Sequence, residues 1–102
     1  QTLDLPAAMK LITRDDVQLL DVRPQEEFAA GHIKGAINIP ADELKKALKQ
    51  LDPAKDIIVY CRGHLCALTN QAAHLLNKSG YHAYSLNESY YDWREFVSEQ
   101  AN

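Results

Sequence analysis

Cysteine is scarce: the chain of 102 residues holds two, Cys61 and Cys66. That is too few for the disulfide framework of a small secreted domain. No apolar run approaches the roughly 20 residues that span a bilayer, so no membrane role is expected. No basic start followed by an apolar stretch marks a secretory leader. A basic excess is also missing, with 11 Lys and Arg against 14 Asp and Glu, a net charge of −3 and a pI of about 5.7. Without a basic stripe, nucleic-acid contact by this domain is not expected. Repeats, low-complexity stretches and linkers are absent too. What remains is ordinary globular usage, 46% apolar and 25% charged, enough for one core in a single domain over residues 1–102. The chain begins with Gln1 and not Met, which reads as excision from something longer. Two cysteines five positions apart outside a secreted context read as reactive thiols, and a cytoplasmic, reducing location follows.

Turn and cap signals divide the chain into short alternating pieces. Pro6 ahead of Ala8, Leu11 and Ile12 predicts a short opening helix. The apolar run Val17 to Val22 predicts a buried strand. Pro24 opens a helix through Phe28 and Ala30, which Gly31 would end in a left-handed conformation. Ala36 to Ile39 is a short strand stopped by Pro40. Leu44, Ala47, Leu48 and Leu51 fall at the spacing of one helical face, behind Asp42 and Glu43 at the N-terminus. Ile57 to Tyr60 is the most apolar strand and belongs in mid-sheet. A helical pattern (Leu68, Ala72, Leu75, Leu76) runs from about Cys66 to Ser79, stopped by Gly80. Tyr81 to Leu86 is a last strand. Ser89 and Asp92 resemble a capping box for a final helix with Tyr90, Trp93, Phe96 and Val97 on its apolar stripe. Strands alternating with helices predict an α/β fold, a parallel sheet covered on both faces. Ligands then sit outside the carboxyl ends of the strands, where Cys61 falls directly after Tyr60.

The loop Cys61-Arg62-Gly63-His64-Leu65-Cys66 turns a strand into a helix. Backbone amides in such a turn can form an anion-binding nest, the helix adds its positive end, and Arg62 adds a fixed charge. All three favour the thiolate of Cys61, while Gly63 offers the positive φ of a tight loop. A thiolate on the floor of an anion cradle can attack the outer sulfur of thiosulfate or a persulfide and hold sulfur as Cys61–S–S⁻. No metal or organic cofactor is needed.

Asp21-Val22-Arg23, Glu27-Phe28, Gly31-His32-Ile33 and the run from Gly35 to Pro40 resemble the N-terminal signature of rhodanese domains. Val59-Tyr60-Cys61-Arg62-Gly63 resembles the catalytic loop of that family. The resemblance covers about Val17 to Trp93. It implies an open five-stranded parallel sheet with helices on both faces, and a sulfurtransferase with Cys61 as catalytic sulfur carrier. Arg62, Gly63, His64, Leu65 and Cys66 would supply the main-chain persulfide cradle. The implied partners are thiosulfate or low-molecular-weight persulfides as donors, and thiols or cyanide as acceptors. Two departures stand out. Cys66 occupies a position where single-domain members carry Arg, Lys or Thr, which leaves room for weak activity with thiosulfate. Asn87-Glu88-Ser89 replaces a frequent Gly-Gly pair. The Cys-Arg-Gly-x-x-Cys loop is similar to that of rhodanese modules fused behind ArsR-type winged-helix repressors, which would put a DNA-binding domain N-terminal to this one.

Plainer readings stand beside these. Cys61 could be an inert buried cysteine. Cys66 could be a small apolar residue or a resolving thiol that closes a disulfide with Cys61, so a sulfur- or redox-sensing regulatory module is the alternative function. Arg62 and His64 could be solvated. Asp21, Arg23 and Glu27 read as a buried ion-pair set that organises the loop after the first strand. His32, His74 and His82 read as scaffold or surface. Tyr90, Tyr91 and Trp93 read as core and rim. A zinc site at Cys61, His64 and Cys66 lacks a fourth ligand. A cysteine phosphatase or arsenate reductase is a third reading, disfavoured because its Cys-x5-Arg loop would need Arg where Ala67 stands, so the oxyanion cradle lacks its guanidinium.

Overall fold

The computed structural model describes residues 2–12, 14–61, 67–86 and Arg94. Five strands, β1 (Thr2–Leu3), β2 (Val17–Asp21), β3 (Ile37–Asn38), β4 (Asp56–Tyr60) and β5 (Ala83–Leu86), pair in parallel in the order β1-β5-β4-β2-β3. Among the described residues three α-helices join them: α1 (Leu5–Ile12), α2 (Gln25–Ala30) and α3 (Ala67–Lys78). The residue pattern marks four of the strands. β1, two residues at an edge, is too short to carry a period.

β4 lies mid-sheet, with Ile57, Ile58, Val59 and Tyr60 all at 0% exposure. Its side chains alternate between faces as a strand requires. Ile57 and Val59 join Leu20, Val22, Leu44, Ala72 and Leu76 in one apolar cluster; Ile58 and Tyr60 join Ala8, Leu19, Ile33 and Leu86 in the other. α3 covers the first face and α1 the second, so the α/β class with helices on both faces is as expected.

α1 starts on Asp4, whose carboxylate accepts the Ala7 amide at 3.0 Å, satisfying one of the first-turn donors. α3 ends as its glycine suggests. The Tyr81 amide reaches back to the Leu76 carbonyl at 3.0 Å and the Gly80 amide to Asn77 at 3.3 Å, a Schellman closure with Gly80 at φ +94°. A Cβ at Gly80 would meet nothing within 4 Å, so the cost of Gly80→Ala is conformational alone. It is expected to lower stability by about 1 kcal/mol, read from the urea midpoint; an unchanged midpoint would contradict the closure.

Two expectations need correcting. Gly31 is extended, at φ 161°, and not left-handed; α2 closes through its amide to the Phe28 carbonyl. The positive φ nearby belongs to Gly35, at 88°. The stretch from Ala41 to Leu51 is not one α-helix but two 3₁₀ helices, Ala41–Lys46 and Leu48–Gln50, divided at Ala47. The apolar spacing splits at that break into two i, i+3 steps, Leu44 to Ala47 and Leu48 to Leu51, and i, i+3 is the 3₁₀ repeat. Leu44 and Leu51 still reach the core, with Ala47 and Leu48 packed beside them. The Tyr81 hydroxyl donates to the Leu48 carbonyl at 2.7 Å. The final helix expected around Tyr90 to Val97 lies outside the described residues, apart from Arg94, which is helical.

Candidate functional site

Cys61 follows β4 at the carboxyl edge of the sheet. It is 3% exposed and packs in the cluster that holds Val22, Leu44 and Leu76. Its sulfur is disulfide-bonded, and no cysteine among the described residues is free. The one other cysteine of the sequence, Cys66, lies with Arg62, Gly63, His64 and Leu65 outside the described residues. The covered sulfur differs from the solvent-reachable thiolate expected from the loop. In a disulfide the sulfur has no ionisable proton, so nucleophilic chemistry must begin with reduction.

The strand ends around Cys61 are tied together by main-chain bonds. The Val22 amide donates to the Tyr60 carbonyl at 3.3 Å, Ile39 to Asp21 at 3.1 Å and Ala41 to Val22 at 3.1 Å. Asn38 adds a side-chain clamp, its amide nitrogen donating to the carbonyls of Asp21 at 3.0 Å and Arg23 at 2.9 Å.

Behind this edge, on the Tyr60 face, lies a buried ion pair. Asp21 is 0% and Arg23 1% exposed. Arg23 Nε donates to both carboxylate oxygens, at 3.0 and 3.1 Å, and Nη2 donates to Oδ2 at 2.8 Å. Nη2 also donates to the Gly31 carbonyl at 2.6 Å, which fixes the turn out of α2. Burial on its own would lower the Arg23 pKa, but the hydrogen bond and charge of Asp21, with help from Glu27, outweigh it and leave the pKa raised. Of the buried set expected from Asp21, Arg23 and Glu27, the Asp21–Arg23 pair is present and buried, while Glu27 adds its charge from a half-buried position.

Tyr60 completes the set. Its ring lies under the Arg23 guanidinium, 5.8 Å from centroid to carbon, and its hydroxyl accepts the Ile33 amide at 3.1 Å. Burial raises the Tyr60 pKa, the Asp21 charge adds to this, and the Ile33 amide partly offsets it. Below about pH 10, the ordinary tyrosine value, both folded and unfolded chains keep the proton and Tyr60 adds no pH dependence. Above it the unfolded chain ionises first, so stability falls as pH rises. Tyr60→Phe is expected to flatten that alkaline loss, measured as urea midpoints between about pH 9 and 11.5, on a baseline lowered by about 1–3 kcal/mol because the Ile33 amide loses its acceptor. Parallel curves for the two proteins would refute the assignment.

Sequence reasoning passed over Tyr60 and Asn38. Each reads as an ordinary strand residue, and only the pairing of β2 with β3 and β4 brings them to Asp21. His32 stacks on Phe28, centroids 3.7 Å apart, with Nδ1 2.8 Å from the Phe28 carbonyl, a scaffold role. His82 pairs at the surface with Asp56 at 3.0 Å, and His74 is exposed. Among the described residues no group of three or more His, Cys, Asp or Glu could hold a metal ion, and no helix is long and apolar enough to cross a membrane.

The family model for the rhodanese-like domain matches residues 5–96. The chain belongs to the rhodanese-like family. This rhodanese-like domain is 43% identical over 79 residues to the HTH-type transcriptional regulator Rv0324 of Mycobacterium tuberculosis, a match covering 78% of the chain and 35% of that regulator. It therefore spans about a third of that relative's length. It is 49% identical over 53 residues to the human thiosulfate:glutathione sulfurtransferase, covering 52% of the chain and 45% of that protein. Among solved structures, the human single-domain sulfurtransferase TSTD1 superposes with a TM-score of 0.79 at 33% identity, over 92% of the chain and 95% of the human protein. Sulfurtransferases thus stand among the relatives of this rhodanese-like domain, beside a regulator.

Proposed function

We propose that this rhodanese-like domain is a sulfurtransferase in which reduced Cys61 carries sulfane sulfur. The observation that supports it most directly is the position of Cys61, the residue that leaves the central strand at the carboxyl edge of the sheet. The thiolate attacks the outer sulfur of thiosulfate, the S–S bond of the donor breaks, and sulfite leaves with the electron pair. With a persulfide donor the leaving group is a thiolate. A thiol or cyanide then takes the outer sulfur and returns Cys61 to the thiolate. The amides of Arg62, Gly63, His64, Leu65 and Cys66 would hold the persulfide anion. Such turnover needs reduced thiols, as a cytoplasmic location provides.

The test is the intact mass of the reduced protein after incubation with thiosulfate or glutathione persulfide. A gain of one sulfur atom, reversed by cyanide, is the expected result. No gain with either donor would overturn the reading.

A second reading is favoured by the disulfide at Cys61 and by the regulator relative. Here Cys61 and Cys66 register persulfide or oxidant by closing a disulfide, and a DNA-binding domain in the parent chain responds. Cys66→Ser separates the two, since it spares sulfur loading but removes the oxidant-driven loss of two hydrogens.

A further inference from the structure

At the same carboxyl edge of the sheet as Cys61, between α2 and the first 3₁₀ helix, two adjoining clefts form a groove. One part, a cleft of about 430 Å³, is walled by Val22, Pro24, Pro40 and Ala41. A second part of about 400 Å³ continues along Phe28 and Asn38, sharing Gln25, Pro40 and Glu43 with the first. Val22 ties the groove to the candidate site: it lines the cleft and packs in the same cluster as Cys61. Phe28, half-buried and covered on one face by His32, lends the second part an aromatic side chain.

Among the described residues the charged lining is of one sign. Glu26, Asp42 and Glu43 all face the cleft, all are exposed, and none is in an ion pair among the described residues. They occupy the first turns of α2 and of the first 3₁₀ helix, while Lys45 and Lys46 lie at the far end of the latter. Left bare, two helix starts would draw an anion; three carboxylates reverse that potential. A small dianion such as thiosulfate is repelled from such a lining and fills little of its volume. A basic chain segment with an apolar side chain matches its charge, its length and its aromatic side chain.

Resting on the reading of Cys61 as sulfur carrier, we propose that this groove docks a basic segment of a protein acceptor and so delivers the acceptor's own cysteine to the Cys61 persulfide. The acceptor thiolate attacks the outer sulfur, the S–S bond to Cys61 breaks, Cys61 leaves as thiolate, and the acceptor becomes the persulfide. No further oxidant or reductant is consumed.

Two fluorescent peptides test this on the intact reduced protein, one with lysines around a single cysteine and one with glutamates. Each is also made with serine for cysteine, so that docking is read by anisotropy apart from sulfur transfer. The lysine peptide is expected to bind and to accept sulfur at least about 10-fold better at low salt, with the preference fading toward 0.5 M salt. The combined Glu26→Gln, Asp42→Asn, Glu43→Gln variant should lose most of that preference, while transfer to 2-mercaptoethanol is retained. A control with Asp15→Asn, Asp16→Asn and Asp52→Asn, at the opposite end of the strands, should keep it. Equal binding of the two peptides, or a preference that survives in the groove variant, would overturn the proposal. Preferential binding of the serine peptide without sulfur loading of Cys61 would uphold the docking groove and remove the sulfur-carrier reading instead.

Discussion

Cys61→Ser is expected to abolish sulfur transfer, with turnover falling about a thousandfold or more below the reduced wild type. A serine hydroxyl stays protonated at neutral pH and cannot hold a sulfane sulfur, so on the proposed mechanism both half-reactions lose their covalent carrier. The substitution also places a hydroxyl where Cys61 is 3% exposed among apolar neighbours, at a cost of about 1–3 kcal/mol if the hydroxyl finds no partner. Cys61→Ala avoids that cost, so loss of activity in both variants, with far-UV circular dichroism unchanged, separates chemistry from folding. Residual turnover within about tenfold of wild type in either variant would move the sulfur carrier elsewhere. The disulfide at Cys61 adds a condition. The oxidised wild type should be as inactive as the variants, and dithiothreitol should restore it and not them.

The second large effect is one of stability. Asp21→Asn takes from the Arg23 guanidinium, 1% exposed, the charged carboxylate that accepts three hydrogen bonds from its Nε and Nη2. Breaking one side of such a pair costs about 3–5 kcal/mol, against a total of about 5–15 kcal/mol for a domain of ordinary stability. The melting temperature should fall by at least about 12 °C. Replacing both partners by apolar residues, Asp21→Leu with Arg23→Met, should recover most of the loss, because the penalty lies in the stranded charge and not in the missing bond. A single variant within about 1 kcal/mol of wild type would show that Arg23 finds other compensation, such as Glu27.

Much of this could be read from the residues, for identifiable reasons. β4 declared itself because a strand buried on both faces needs apolar residues throughout, and Ile57 to Tyr60 has them. Gly80 marked the end of α3 because that closure requires a positive φ. Gly31 misled because a glycine after a helix is equally suited to extended backbone. The 3₁₀ stretch misled because i, i+3, i+4, i+7 spacing fits one α-helix or two 3₁₀ turns, and the choice depends on where Ala47 breaks the chain. At the site, the position of Cys61 at a strand's carboxyl end followed from the alternation of strands and helices alone. Its burial in a disulfide did not, since composition carries no information on oxidation state. Tyr60 and Asn38 stayed hidden because their partners come from strands distant in sequence.

The sheet has a further property at its margins. Both outermost strands, β1 and β3, are only two residues long. A second chain seeking to extend the sheet therefore finds almost no ladder of unpaired amides and carbonyls to copy along either strand. Short margins of this kind are a known defence against aggregation. They leave a second copy little main chain to pair with along β1 or β3 themselves.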